Sequence, residues 1–481
     1  MIVTLAVRHL LVRRVRALVL LAGFALGVGV MIVLLSVGEA MLEQSRDVSL
    51  VGGGEVTVLP LGIDIEAMRT GGVSGMFFGI DRARFVTRRL LGGPRQAAMV
   101  SAVSPAIEYK LLYLATGGRV VPIKAGADVP SRAALVGTAL DVRQGRWVDS
   151  PADSAWIAPT AQQLYDELDH FHLPTAPDST WGEWHYFNLL VAPDEWWYIT
   201  YLVGGEVPSG RWGGQLLVTR RRPDGRYARF STRVPSTDVR FDTLRADLSL
   251  GDNTVTQRDG IYHLRGRAIG PEGPLTLDVM LRPDPARYFP PVELRADGLM
   301  SGYVVPGLRA DASGTVCIGG RCRTLEQVPA YHDHNWGVWR DVTWEWGMGR
   351  GERLDLLYGG VRTPGDSVRS GNPFFLALAD SLGVRQVLRF SSIRYEGRLR
   401  AGGAPVDAPA RFALVAARDA DTVRVAVEVA SAQATAQGAG GLDRVFLQLR
   451  GHYRLEGRVA GMRVADDGDG FFETYLKPPI P

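Results

Sequence analysis

Trp181-Gly182-Glu183-Trp184, followed by Trp197-Tyr198-Ile199-Thr200-Tyr201-Leu202-Val203-Gly204-Gly205, is echoed later by Thr343-Trp344-Glu345-Trp346, followed by Leu354-Asp355-Leu356-Leu357-Tyr358-Gly359-Gly360. In each copy a tryptophan-bearing strand leads into a second strand that ends in two glycines. Recurrence of one supersecondary unit indicates a duplicated domain. Around both copies lie short alternating segments separated by turn signals: 215–220, 226–234, 262–268 and 275–281, then 354–361, 386–394, 410–416, 422–430 and 444–456. Many short strands at even spacing build barrels or sandwiches. The reading is a mainly β protein with two related barrels in tandem.

The chain has 481 residues, long enough for about three domains, and a formal charge of +3. Its only lysines are Lys110, Lys124 and Lys477, so the basic charge is nearly all arginine. No basic block beyond the N-terminus forms a nucleic-acid footprint, which excludes nucleic acid as an expected partner. No Walker-type phosphate loop is present, so the chain is not an ATPase. Residues 40–174 mix short apolar runs, such as Val120-Val121-Pro122-Ile123, with glycine-rich turns and a helix over 161–168, which predicts a small α+β module. The Leu173 to Ser179 stretch, with two prolines, reads as a linker.

From Ala17 to Gly38 there are 22 residues without charge, about 33 Å as a helix at roughly 1.5 Å per residue. Arg8, Arg13, Arg14 and Arg16 precede this run and Glu39 and Glu43 follow it. The positive-inside rule therefore predicts a single-pass anchor in the cell (inner) membrane, with residues 1–16 cytoplasmic and the bulk periplasmic or otherwise extracytoplasmic. A cleaved signal peptide is the alternative, with Ser36 and Gly38 at its end, but the apolar run is longer than a usual signal core. Gly23 and Gly27 share one helix face and permit close approach of another membrane helix.

Chemistry concentrates in Tyr331-His332-Asp333-His334-Asn335-Trp336-Gly337. In an extended strand Tyr331, Asp333 and Asn335 point one way and His332, His334 and Trp336 the other. A carboxyl group in an apolar pocket is held protonated and can act as an acid, and a neighbouring indole tolerates cationic charge. His332, His334 and Asp333 or His185 also make a donor set for a metal, but two histidines and a carboxylate recur by chance; no metal or other cofactor is expected. Cys317 and Cys322 flank Gly319-Gly320. A two-residue turn there pairs Ile318 with Arg321 and brings the cysteines opposite each other, within disulfide reach. Such a bridge persists in an oxidising compartment.

Leu5-Ala6-Val7-Arg8-His9-Leu10, Arg13-Arg14-Val15-Arg16-Ala17-Leu18 and the apolar run resemble the opening of an ABC-transporter permease of the MacB/FtsX type, over about residues 1–60 and fading through 170. That resemblance implies an extracytoplasmic module over 39–174 and transporter subunits as partners. Glu183-Trp184-His185-Tyr186-Phe187, Trp196-Trp197-Tyr198 and Tyr331 to Gly337 resemble the carotenoid 1,2-hydratase (hydroxyneurosporene synthase) and AttH-like family. This covers about 178–481 and implies two lipocalin-like domains, 178–325 and 326–481, with a site for a lipophilic molecule near their junction. Hydratases carry further His and Trp residues just before the motif, and Gly302-Tyr303-Val304-Val305-Pro306 has neither. The resemblance thus implies acid chemistry on a lipophilic guest rather than on a carotenoid in particular.

The roles expected from this reading are Asp333 as acid, Tyr331 orienting it and His185 receiving a proton afterwards. Trp184, Tyr186, Trp336, Trp346, His332, His334 and Asn335 are expected to line the guest's site, with His332 and His334 behind it or between the domains. The expected function is a membrane-anchored protein that binds an isoprenoid or lipid-like molecule and carries out hydration, isomerisation or hydrolysis on it. A non-catalytic lipid or lipoprotein carrier serving a MacB-type transporter is the alternative.

Overall fold

A computed structural model describes residues 14–46, 106–116, 119–128, 168–172, 181–296, 299–338, 343–362, 374–437, 444–459 and 461–476, together with positions 85, 86, 89, 90 and 100. The chain divides into two units, Met1–Leu91 with Met99–Asp149, and Gly92–Ala98 with Ser150–Pro481. The first holds helix α1 (Arg14–Arg46) and an antiparallel hairpin of β1 (Ala106–Thr116) and β2 (Arg119–Asp128). The expected 17–38 span falls inside α1. Among the described residues no helix is long and apolar enough to cross a membrane; the described side chains of α1 run unbroken only over 22–36. The linker at 173–179, the basic residues before Arg14 and most of the 39–174 module lie outside the described residues.

The second unit is built of strands. They are β3 (Trp181–Ala192), β4 (Glu195–Glu206), β5 (Arg211–Arg221), β6 (Tyr227–Pro235), the short β7 (Val239–Phe241), β8 (Leu248–Leu250) and β9 (Asn253–Arg258), then β10 (Ile261–Gly270), β11 (Gly273–Pro283), β12 (Phe289–Ala296), β13 (Leu299–Ile318) and β14 (Arg321–Val338). The pairing runs β10-β11-β13-β14-β3-β4-β5-β6 and returns from β6 to β10, which closes an antiparallel barrel of eight strands. Next come β15 (Thr343–Gly351), β16 (Asp355–Arg362), β17 (Phe374–Asp380), β18 (Gly383–Phe390), β19 (Ile393–Glu396), a ribbon of β20 (Leu399–Arg400) and β21 (Asp407–Ala408), β22 (Arg411–Arg418), β23 (Asp421–Gln437), β24 (Arg444–Val459) and β25 (Met462–Leu476). Here β15-β16-β17-β18-β22-β23-β24-β25 closes back from β25 to β15, a second barrel of eight strands in the same order. Closure removes sheet edges that would otherwise template aggregation.

The duplication seen in sequence is therefore real at the level of strand order, with β3 and β4 matching β15 and β16. Residue register differs between the copies. Gly359 lies opposite Trp346, whereas Gly204 lies opposite Gly182. The expected boundary at 325/326 is corrected: β14 closes the first barrel against β3, so the break falls between Val338 and Thr343. The expected start is corrected as well, since Leu168 and Phe171 are buried in the second unit, Phe171 within the first barrel's core.

Period-two burial explains why these segments are strands. Along β11 Leu275, Leu277, Val279 and Leu281 are buried and their alternating neighbours are not. Each barrel has its own interior core, and a third apolar cluster, including Tyr186, Tyr303, Tyr331, Trp346, Leu357 and Ala377, joins the outer faces of the two barrels. We call this the seam. The hairpin of β13 and β14 pairs Ile318 with Arg321 and Cys317 with Cys322, and the two sulfurs are bonded, as the turn predicts. Closing so short a loop constrains the unfolded chain by about 2 kcal/mol. Replacing both cysteines by serine should lower the unfolding free energy read from urea titration by that modest amount, and dithiothreitol should do the same to the wild type but nothing to the variant.

Candidate functional site

The alternation expected for 331–336 is what β14 shows. Tyr331, Asp333 and Asn335 leave the outer face of the first barrel and enter the seam, where the Asp333 side chain is 1% exposed. The Tyr331 hydroxyl donates to Asp333 Oδ2 at 2.6 Å, and the Asn335 amide donates to Oδ1. From the second barrel, Trp346 Nε1 donates to the Tyr331 oxygen at 2.9 Å. Burial pushes the Asp333 carboxyl up to about 8, against the lowering pull of the Tyr331 hydrogen bond and with help from the negative charge of Glu473. Tyr331 is itself held protonated by burial and by Asp333. The Tyr303 ring meets Trp346 edge-on at 4.9 Å and stacks on Phe375 at 5.5 Å, and Trp184 stands 6.2 Å from Trp344. The seam thus surrounds one neutral acid with aromatic faces.

A second carboxyl group completes it. Glu473 projects from β25, the strand that matches β14 in the other barrel, and pairs in register with Trp346 as Asn335 does with Trp184. Trp344 Nε1 donates to Glu473 Oε2 at 3.0 Å, and Gln448 Nε2 donates to the Tyr186 hydroxyl at 2.9 Å. Burial raises the Glu473 carboxyl too, opposed by hydrogen bonds from Trp344, Tyr186 and Gln448. Sequence reading misses Glu473. The duplication offers the signal, because the last strand of the second barrel presents the face that matches that of Asp333 and Asn335.

The other face of β14 points into the first barrel, which corrects several expectations. His332, His334 and Trp336 are interior residues, and His185, two places from Phe187 on β3, lies among them instead of beside Asp333. Alternation separates His185 from its expected role, since residues with Cβ on opposite faces of one sheet cannot share a site. Trp336 stacks on His172 at 3.9 Å and is not part of the seam's apolar cluster. The donor set of Asp333 with His332 and His334, weighed and set aside from sequence, is not assembled for the same reason.

In its place the histidines gather around Asp169, which the sequence reading does not single out although Asp169-His170-Phe171-His172 is as dense in polar and aromatic groups as the later motif. His334 Nδ1 contacts Asp169 Oδ1 at 2.5 Å, and the Tyr262 hydroxyl donates to Oδ2. His334 Nε2 lies 3.1 Å from Glu183 Oε1, and Glu183 in turn receives the backbone N–H of His172 at 2.9 Å. Burial disfavours charge on His334, but Asp169 and Glu183 push it up to about 9. Burial also disfavours charge on Asp169, yet His334 and His332 hold it well below the ordinary carboxylate range. Burial keeps His185 and His332 neutral. One nitrogen atom from each of His185 and His334 and one Asp169 oxygen lie within 4.8 Å of one another, which is a donor set able to hold a cation.

No protein-family profile matches the chain, and no curated protein matches it. Among solved structures it is similar to a candidate AttH protein of Nitrosomonas europaea, at 17% identity over 63% of this chain and 96% of that one, with a TM-score of 0.44. It is also similar to CghA with bound Sch210972, at 12% identity over 65% of this chain and 97% of that one, with a TM-score of 0.43. Kievitone hydratase of Nectria haematococca follows at 12% identity over 64% of this chain and 94% of that one, with a TM-score of 0.40. The tandem-barrel architecture rests on the strand pairing described above and not on these likenesses.

Proposed function

We propose that the seam binds an isoprenoid or lipid-like molecule and that Asp333 protonates an isolated C=C bond in it. The supporting observation is a carboxyl group, 1% exposed, that burial keeps protonated at neutral pH among aromatic rings. With its affinity for the proton at about 8, the acid form outweighs the carboxylate roughly ten to one at pH 7. Tyr331, fixed by Trp346, orients the acid. The faces of Trp184, Trp346 and Tyr303 stabilise the developing carbocation by about 0.5–2 kcal/mol each. Glu473, partly exposed where Asp333 is not, takes over the proton-accepting role once expected of His185. Water attack on the cation then gives hydration, and loss of a neighbouring proton gives isomerisation.

The chain is proposed to be held at the inner membrane by α1, with its N-terminus cytoplasmic and the barrels extracytoplasmic. Phe24, Leu26, Ile32, Val33, Leu34 and Leu35 are exposed on α1, and a helix surface of this kind is stable in lipid rather than water. Gly23 and Gly27 have no heavy atom within 4 Å of the place a Cβ would take, an open face for a second membrane helix such as one from a transporter subunit.

The test incubates detergent-extracted protein with a lipid extract of the host membrane in deuterated water. Wild type should place deuterium on carbon in one lipid species, at a rate that falls about tenfold per pH unit above pH 8. Asp333→Asn should bind the same species and label none. Identical labelling by the two proteins refutes the acid role of Asp333.

A further inference from the structure

We infer that the interior of the first barrel is a binding site for one divalent transition-metal ion, zinc above others, ligated by Asp169, His185 and His334. The argument starts from tautomers. His185 Nε2 lies 2.8 Å from the Ala246 carbonyl oxygen. A carbonyl oxygen only accepts, so this nitrogen carries the proton and Nδ1 carries a lone pair. That Nδ1 is buried and has no hydrogen-bond partner. A buried lone pair left without a donor is costly, and native interiors rarely keep one.

The remaining donors are held in the way metal ligands are held. Imidazole ligands usually fix their orientation by giving the far N–H to a carbonyl or carboxylate. His185 gives its far N–H to Ala246, and His334 has Glu183 Oε1 3.1 Å from its far nitrogen. The Tyr262 hydroxyl holds the Asp169 oxygen that faces away from His334. His334 Nδ1 lies 2.5 Å from Asp169 Oδ1, and the ion would enter between them and spread that pair. Zinc bonds of about 2.0–2.1 Å in a tetrahedral arrangement set ligand atoms roughly 3.3 Å apart, so a cluster within 4.8 Å needs side-chain shifts of an ångström or so. His332 supplies a fourth position. Its Nδ1 lies 3.0 Å from the Tyr186 carbonyl oxygen and its Nε2 lies 3.7 Å from Asp169 Oδ2, near enough for the ring to turn to an ion held there. Two nitrogen donors, one carboxylate and an imidazole or water beyond them suit zinc better than calcium or magnesium, which require mostly oxygen.

Tyr262, whose hydroxyl holds Asp169, also lines a cavity of about 290 Å³ with Gln257, Arg282 and Tyr288.

The test uses the full chain with a tag free of histidine, stripped with a chelator, reloaded with zinc and gel-filtered. Elemental analysis should find about one zinc per chain. Cobalt in place of zinc should give the intense visible bands, near 550–650 nm, of a four-coordinate site with nitrogen and oxygen ligands. Asp169→Asn and His185→Gln should each weaken zinc binding by roughly a hundredfold or more, while His263→Ala, which removes a solvent-accessible histidine paired with Asp278, should leave it unchanged. Wild type that retains neither zinc nor cobalt overturns the proposal, a result that does not depend on any variant folding. Undiminished binding in both ligand variants overturns it as well.

Discussion

Asp333→Asn should make the protein more stable in alkali while abolishing its chemistry. The sign follows from linkage. The folded state holds the Asp333 proton up to about pH 8, whereas an unfolded aspartate releases it near 3.9. Between those values the native state binds more protons than the unfolded one, so stability falls as pH rises and the loss is complete above the folded value. One proton over about four pH units is worth at most ~6 kcal/mol, and relaxation of the seam brings the expected figure to a few kcal/mol. Asparagine keeps the shape and cannot ionise. At pH 5 the two proteins should melt within a few degrees of each other, and at pH 9 the variant should melt well above wild type. Glu473 titrates in the same direction in both, so the difference between the melting curves isolates Asp333 and its coupling to Glu473. Parallel curves would mean that the carboxyl is solvated and would remove the basis of its acid role.

That contrast also shows what a one-dimensional reading can and cannot reach. Which of Tyr331, His332, Asp333, His334, Asn335 and Trp336 travel together follows from the period of two, and the structure keeps both groups intact. Which group faces the barrel interior depends on how β14 closes against β3 and on the second barrel covering the outside, and neither is written locally. His185 is misplaced by sequence alone for that reason. Asp169 and Glu473 escape it because barrel closure brings their partners to them from far along the chain, His334 from 165 residues away and Trp344 from 129. The cysteine hairpin is readable because its turn, register and bridge are decided within six residues. The domain boundary is not, since a turn signal does not say which barrel the next strand will complete.

Closure of the first barrel rests on a tight fit that a pair of substitutions can expose. Gly302 lies opposite Trp336 in the pairing of β13 with β14. A Cβ added at Gly302 would stand 2.2 Å from Trp336 Cε2 and 2.3 Å from Nε1, and the indole, 1% exposed and stacked on His172, has nowhere to retreat. Gly302→Ala should therefore cost about 3 kcal/mol or more through forced displacement of the ring, at the upper end of overpacking penalties. Trp336→Ala should cost about 3–5 kcal/mol through lost burial and the cavity left behind. The double variant is the informative one, because the methyl group introduced by Gly302→Ala occupies space the indole has vacated. Its destabilisation should fall short of the sum of the singles by about 1–3 kcal/mol, read from urea midpoints of the three variants. Simple additivity would show that β13 and β14 part easily at this point. In that case the aromatic wall between the interior histidines and the β12 side of the barrel is not the rigid element that the packing of Trp336 against Gly302 implies.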